Sequence, residues 1–309
     1  MLLRILQFVF AIIAGLAAVV AFQHLRLSTA SPPPDKPEGA IRIASYNVHY
    51  IVLFQGEGRW GLSGWEERKG PMDTVFKALD ADIIAFQEME SFWRGSDGSI
   101  NLARDWLLEN NPGYAAAAMG DWRAFPGTQP IFYRPERFGV RDQGWWFFSE
   151  EPDRIYSRGF DGASPSFASW VQFEDRDSGA LFRVVSVHFD AFSRTNRNGA
   201  AALTASRVAP WIEAGETVIL AGDLNALSGS RIHATLERVG LTFPRVPHAS
   251  FHLNRGLHLF GAIDHFGLSG TAQAVARPFV LQMRPDGVWP TDHHPVGIDL
   301  NIDPSVPDG

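Results

Sequence analysis

The segment Thr217–Leu227, TVILAGDLNAL, constrains the fold more than any other stretch of the chain. Val218-Ile219-Leu220 has the length and β-branched content of a buried strand, and Ala221-Gly222 are small enough to let the backbone turn. Asp223 and Asn225 follow, two positions apart, and at strand spacing they point to one side of the strand's mouth. Taken alone, Asp-Leu-Asn reads equally well as a polar turn closing a strand, because Asx residues favour turns. The balance shifts because other strand-like runs end the same way.

Ile41–Tyr46 alternates apolar and polar residues and ends in Asn47; Ala81–Phe86 is apolar nearly throughout and ends in Gln87-Glu88. Phe167–Phe173 and Leu181–Val187 are joined by the polar turn EDRDSGA (Glu174–Ala180), a hairpin signal, and the second of them ends in His188-Phe189-Asp190. Phe260–Leu268 carries Asp264-His265, and the stretch Thr291–Ile302 begins with Asp292-His293-His294-Pro295. Helical spacing covers Pro71–Leu79, Asn101–Glu109 and Ala200–Ile212, with Ser228 or Ser230 placed to cap a helix reaching Val239. Strands outnumber helices and hairpins mix with helical connections, which predicts an α/β (α+β) fold: a sandwich of two mostly antiparallel sheets with helices outside.

The 309 residues show no linker within 41–303, so that span is expected to form one domain, with 304–309 as a tail. Residues 1–23 form an apolar run, uncharged from Ile5 to Gln23, long enough to cross a bilayer. It reads as an uncleaved anchor, with a signal peptide cleaved near Ser28-Thr29-Ala30 as the competing reading. Residues 24–40 include SPPPDKPEG and are expected to be a stiff, extended stalk between membrane and body. Either export reading puts the body outside the cytoplasm, anchored or, if the leader is cleaved, secreted.

The net charge is −7, and residues 1–30 contribute Arg4 and Arg26 but no acid, so the body is more acidic than the whole. An acidic body argues against tight binding of duplex nucleic acid, yet it permits a phosphate ester held by a cation. With no cysteine in the chain, thiolate chemistry is excluded and any metal site must use oxygen and imidazole ligands. The strand ends together supply Asn47, Glu88, His188, Asp223, Asn225, Asp264, Asp292 and His293. A hard cation such as Mg²⁺ takes carboxylate and amide oxygens, for which Glu88, Asn47 and Asp292 serve. In-line attack on a phosphodiester also needs an oriented water and groups that stabilise phosphoryl charge.

SYNVHY (Ser45–Tyr50), DIIAFQE (Asp82–Glu88), VVSVHFD (Val184–Asp190), ILAGDLNA (Ile219–Ala226), AIDHF (Ala262–Phe266) and TDHHPV (Thr291–Val296) resemble, in order and approximate spacing, the motifs of the endonuclease/exonuclease/phosphatase family. The resemblance spans about residues 41–301 and implies a four-layer, DNase I-like sandwich with metal-dependent phosphoester hydrolysis. Carried over, it implies that Glu88 binds Mg²⁺ (or Mn²⁺), with Asn47 and Asp292 on the same metal side. Asp223 orients or deprotonates the attacking water, Asn225 holds phosphate or nucleophile, and His188 stabilises the phosphoryl group. His293 is paired with Asp264, which fixes its tautomer and raises its pKa. The resemblance leaves open whether Asp223 or His293 is the base. Asp190 either contacts substrate or holds the His188 turn.

Trp65, Arg68, QPIFYR (Gln129–Arg134) and Trp145–Asp153 resemble a subgroup of bacterial members, which carry an arginine where Ser166 stands here. His49, His233, His248, His252 and His258 read as surface or core histidines, and His265 and His294 fall on the opposite side of their motifs. The tryptophans read as packing residues, with Trp145 and Trp146 also placed to line a cleft. Substrates consistent with the sequence are a nucleic acid or a lipid or small phosphodiester, with no obligate protein partner evident. The alternative from another class is a non-catalytic binding module that keeps the fold; it predicts loss of a metal or proton-transfer residue, and none is missing.

Overall fold

The computed structural model describes residues 1–93 and 100–304; residues 305–309 of the expected tail lie outside that range. The chain opens with helix α1 (Leu2–Leu27), followed by β1 (Ile41–Asn47), β2 (Ile51–Val52), α2 (Leu62–Leu79), β3 (Ile83–Gln87), β4 (Ser91–Phe92), α3 (Leu102–Asn110), β5 (Ala115–Ala117) and β6 (Ile131–Tyr133). The second half runs β7 (Phe138–Phe147), β8 (Phe167–Asp175), β9 (Leu181–His188), α4 (Arg194–Glu213), β10 (Thr217–Asp223), α5 (Arg231–Glu237), β11 (Asp264–Leu268), β12 (Ala272–Ala274), β13 (Phe279–Val280) and β14 (Val296–Ile302).

One sheet has the order β12-β14-β1-β3-β6-β5, with β13 also on β14, and the other has the order β11-β10-β9-β8-β7. Pairing is antiparallel except for β1 with β3 and β9 with β10 in these two sheets. Side-chain alternation builds the layers. Ile41, Ile43, Ile83 and Ala85 of the first sheet meet Val184, Ile219, Ala221 and Phe266 of the second in a central core. On the outer faces, Ala44, Tyr46 and Phe86 pack under α2 and α3, while Val185, Val218 and Leu220 pack under α4 and α5. The result is the expected four-layer sandwich.

Several boundaries differ from the sequence reading, and each for a local reason. Helix α2 starts at Leu62 rather than Pro71, so the proline lies inside the helix. Its missing N–H leaves the Glu67 carbonyl without an intrahelical partner, tolerable because Glu67 is exposed to water. Strand β10 does not stop at Ala221-Gly222 but continues to Asp223. Gly222 is there because the strands are close: a Cβ on it would stand 2.0 Å from the Val187 carbonyl oxygen of β9. Trp146 is buried in the outer core beside Trp211, and Trp145 donates to the Ala124 carbonyl, so neither lines the cleft described below.

Helix α1 is long and apolar enough over Leu3–Leu27 to span a membrane or serve as a signal sequence, and its most apolar stretch is not buried against the body. Its last turn is fixed to the body. The Leu27 carbonyl accepts from the Ala249 N–H at 3.1 Å and the Gln282 amide at 3.0 Å, and Ser28 Oγ lies 2.6 Å from His258 Nδ1. Residues 31–40, expected as a stalk, instead lie along the body. Pro34 O accepts from buried Arg42 (2.7 Å), Lys36 pairs with Asp82 (2.8 Å), and Arg137 holds the Gly39 carbonyl (3.0 Å). Proline cannot donate a backbone hydrogen bond, but its carbonyl still accepts one, and here arginines distant in sequence supply the donors.

Candidate active site

The same alternation that builds the central core delivers the polar groups. Ile43, Ser45 and Asn47 share one face of β1, as do Val184, Ser186 and His188 on β9 and Ile219, Ala221 and Asp223 on β10. Each series begins apolar in the core between the sheets and becomes polar at one rim. One step below the rim, Ser45 Oγ donates to Gln87 Oε1 (3.1 Å), Gln87 Nε2 donates to Ser186 Oγ (3.1 Å), and Ser186 Oγ donates to the Phe86 carbonyl (3.1 Å). This buried bridge ties one sheet to the other directly under the site. Sequence reasoning passed over it, although its signal is a polar residue one or two positions before the site residue of an otherwise apolar strand: Ser45 before Asn47, Ser186 before His188 and Gln87 before Glu88.

At the rim, Asn47 Nδ2 donates to Glu88 Oε1 at 3.0 Å and to Asp223 Oδ2 at 3.3 Å. His188 Nε2 stands 3.7 Å from both of those carboxylate oxygens, and His293 Nε2 is also 3.7 Å from Asp223 Oδ2. His293 Nδ1 faces Asp264 Oδ2 at 3.0 Å. Asp264 is held from behind by Ser250, whose Oγ accepts from the Ile263 and Asp264 N–H groups at 3.0 and 3.2 Å. The structure therefore brings Asn47, Glu88, His188, Asp223, Asp264 and His293 into one cluster.

Asn225 is tied to the cluster by backbone rather than by strand register. Its N–H donates to Asp223 Oδ1 (2.8 Å), its amide to the Phe189 carbonyl (2.8 Å), and its φ is 44°, in the left-handed region that asparagine tolerates. The polar-turn reading of Asp-Leu-Asn holds, and the turn itself places the Asn225 amide beside the cluster. Glu88, with φ 54°, likewise turns sharply out of β3. Asp292 neighbours Thr291, whose Oγ donates to the Asn47 carbonyl at 3.0 Å and so locks the Asp292-His293 loop to the end of β1. Asp190 accepts from the Phe192 and Ser193 N–H groups (both 2.7 Å) and from Asn196 (3.1 Å), so both its oxygens hold the loop that starts α4.

Arg68 is a site residue whose part the sequence did not disclose. Buried in α2, its guanidinium donates to the carbonyls of Val48 (2.8 Å), His49 (3.0 Å), Tyr50 (3.2 Å) and Pro290 (2.9 Å), stapling the segment after Asn47 to the one before Asp292. Burial lowers its pKa to about 10, opposed by the nearby Asp292 and Glu88 charges, so it remains a cation at neutral pH.

Burial drives the electrostatics. It pushes Asp223 up to about 6, helped by the Asp264 charge and opposed by His293 and His188. Burial would lower His293, but the charge and hydrogen bond of Asp264, with Asp223 and Asp292, outweigh it and raise its pKa to about 10. Burial would raise Glu88, but His188, His49 and the Asn47 amide hold its carboxyl below the usual range. At neutral pH these shifts favour a cationic His293 imidazole facing an ionised Asp223, beside an ionised Glu88.

A cleft of about 590 Å³ opens in front, lined by Tyr50, Glu88, His188, Asp190, Ser166 and Phe167 among others. The donor set suits a hard divalent cation: Glu88 and Asp292 offer carboxylate oxygens, and Glu88 lies where the cleft leaves room for water. A second group, Asp223, Asp264 and His293, has ligand atoms within 4.8 Å of one another, but there His293 Nδ1 is committed to Asp264.

By sequence the chain matches no family model and no curated protein. By structure it is similar to an endonuclease/exonuclease/phosphatase from Bacteroides vulgatus, with TM-score 0.70 at 20% identity, covering 86% of this chain and 100% of that one. It is similar to a mannosyl-6-phosphatase from Bacteroides thetaiotaomicron, with TM-score 0.67 at 23% identity, covering 85% and 100%. It is also similar to sphingomyelinase C from Streptomyces griseocarneus, with TM-score 0.61 at 18% identity, covering 85% and 99%. The four-layer sandwich of this chain is thus the DNase I-like fold of the endonuclease/exonuclease/phosphatase proteins.

Proposed function

We propose that the protein is a divalent-metal-dependent phosphoester hydrolase, acting on a phosphodiester on the extracytoplasmic side of the membrane that α1 enters. The observation that carries this reading is the convergence of Glu88 and Asp223 on His188, each with an oxygen 3.7 Å from its Nε2, with the His293–Asp264 pair behind them. Glu88 and Asp292, with Asn47 on the same side, would hold Mg²⁺ or Mn²⁺, which supplies Lewis-acid charge to the phosphoryl oxygens.

The chain's own groups divide the remaining work. Asp223, ionised above a pKa of about 6, accepts the proton of the attacking water, while His293, cationic up to about 10, is a donor and not a base. Asn225 positions the nucleophile or phosphate, and His188, at the cleft wall, meets a phosphoryl oxygen. Asp190 acts through the loop it holds. Phosphoester chemistry is also named for neighbours of this fold, a mannosyl-6-phosphatase and a sphingomyelinase C.

The test is hydrolysis of bis-p-nitrophenyl phosphate by the full-length protein in detergent with Mg²⁺ or Mn²⁺. EDTA and Asp223→Ala should each abolish it. Activity surviving both would place the chemistry elsewhere, and a metal titration showing no binding would favour a non-catalytic module.

A further inference from the structure

The site residues lie at the rim where β1, β3, β9 and β10 end and where β11 and β14 begin. Helix α1 is attached at that same rim. The Leu27 carbonyl bonds Ala249, one residue before the Ser250 that supports Asp264, and Gln282, which follows the edge strand β13 paired to the start of β14. His24 stacks on His258 (5.2 Å between ring centroids), and His258 Nε2 lies 3.0 Å from Nε2 of His294, the neighbour of His293. From there residues 28–40 return to the far rim to begin β1, whose seven residues are about 23 Å long at strand rise. The proline-rich segment is thus folded back along the sandwich and does not extend it away from the helix.

This geometry fixes which end of the body faces a bilayer. Helix Leu3–Leu27 has 25 residues, about 37 Å of helix against a hydrocarbon core of about 30 Å. The helix therefore leaves the bilayer at its last turn, where the site rim begins. The rim is built for that neighbour. Leu253, Leu257 and Phe260 are exposed on the loop that holds the helix end, Leu227 is exposed beside Gly261, and Phe192, 98% exposed, lines the cleft itself. Exposed Arg26, Arg255 and Arg284 lie around the helix exit, where lipid phosphates would meet them. The far rim shows water the charged turn with Arg176 and Asp177.

We infer that the catalytic rim lies against the surface of the membrane that α1 enters, and that the substrate is the phosphoester headgroup of a lipid in that membrane. The apolar side chains of this rim enter the headgroup layer, and the cleft that Phe192 lines receives a headgroup from the leaflet. The substrate half rests on the phosphoester-hydrolase reading above; the placement of the rim does not.

The experiment uses the full-length protein reconstituted in phosphatidylcholine vesicles containing, in turn, phosphatidylethanolamine, phosphatidylglycerol, sphingomyelin and a phosphatidylinositol phosphate. Because the chain has no cysteine, Phe260→Cys and Ser178→Cys each carry a single environment-sensitive dye. The dye at 260 should shift to the blue and be quenched by brominated acyl chains, and the dye at 178, on the far rim, should do neither. Headgroup release from one of the lipids should fall about tenfold in Leu257→Ser/Phe260→Ser, with bis-p-nitrophenyl phosphate hydrolysis unchanged. An unquenched dye at 260 overturns the placement. Lipid turnover unaffected by the double substitution overturns the seating of the apolar rim in the membrane, and plasmid DNA cleaved while every lipid is left intact overturns the substrate. Failure to hydrolyse bis-p-nitrophenyl phosphate at all would instead be the failure of the hydrolase reading, with the dye at 260 still deciding the placement.

Discussion

His293 directs Nδ1 at Asp264 across 3.0 Å, so that its other nitrogen, Nε2, faces Asp223 and the cleft. The carboxylate fixes the ring's orientation and keeps it charged, with its pKa raised to about 10. A neutral amide in place of Asp264 preserves the shape but removes the charge.

Asp264→Asn should therefore lower kcat/KM on bis-p-nitrophenyl phosphate by about 100-fold, within the range for losing a positioned acid–base group. The alkaline limb of the pH profile should move to lower pH, because the imidazolium loses the partner that stabilises it. A pH series on both proteins checks the two effects together.

The acid limb reports Asp223. Its carboxyl is raised to about 6, and it must be ionised to take a proton, so kcat/KM should fall as the pH drops through that value. A bound cation stabilises the ionised form, which places the limb at or below about 6 and moves it lower as the metal concentration rises. An acid limb well above that, insensitive to metal, would contradict the role given to Asp223.

Arg68 supports the site without touching the cleft. Arg68→Lys keeps the charge but loses the planar fork, leaving buried carbonyls among Val48, His49, Tyr50 and Pro290 unbonded, at a cost of about 2 kcal/mol or more in stability. Thermal unfolding should show the loss. Metal titration should show weaker binding as well, since the segments it staples carry Asn47 and Asp292.

His233 offers a stability prediction independent of catalysis. Burial lowers its pKa to about 4, aided by the neighbouring His265, against an ordinary 6.5. Between those values the unfolded chain binds a proton that the folded protein does not, so stability falls as the pH drops from about 6.5 to about 4, by about 3 kcal/mol for this residue. His233→Phe, packed between Phe243 and His265, should flatten that part of the stability–pH curve measured by chemical denaturation.

The sequence by itself determined the layers and the chemical content of the site. Strand side chains alternate with a period of two, so Asn47, His188 and Asp223 had to share a face with the apolar residues before them, and His265 had to point away from Asp264, as it does toward His233. It also disclosed the apolar reach of α1. Only the tertiary structure decided the rest. Left-handed turns at Glu88 and Asn225 are held by partners distant in the chain, as are the Arg68 staple and the Ser45–Gln87–Ser186 bridge. So is the path of residues 31–40, which local stiffness predicts to project as a stalk and which Arg42, Asp82 and Arg137 draw back along the body. Periodicity is a property of neighbours along the chain, whereas a carbonyl's donor can come from any strand that packing brings near.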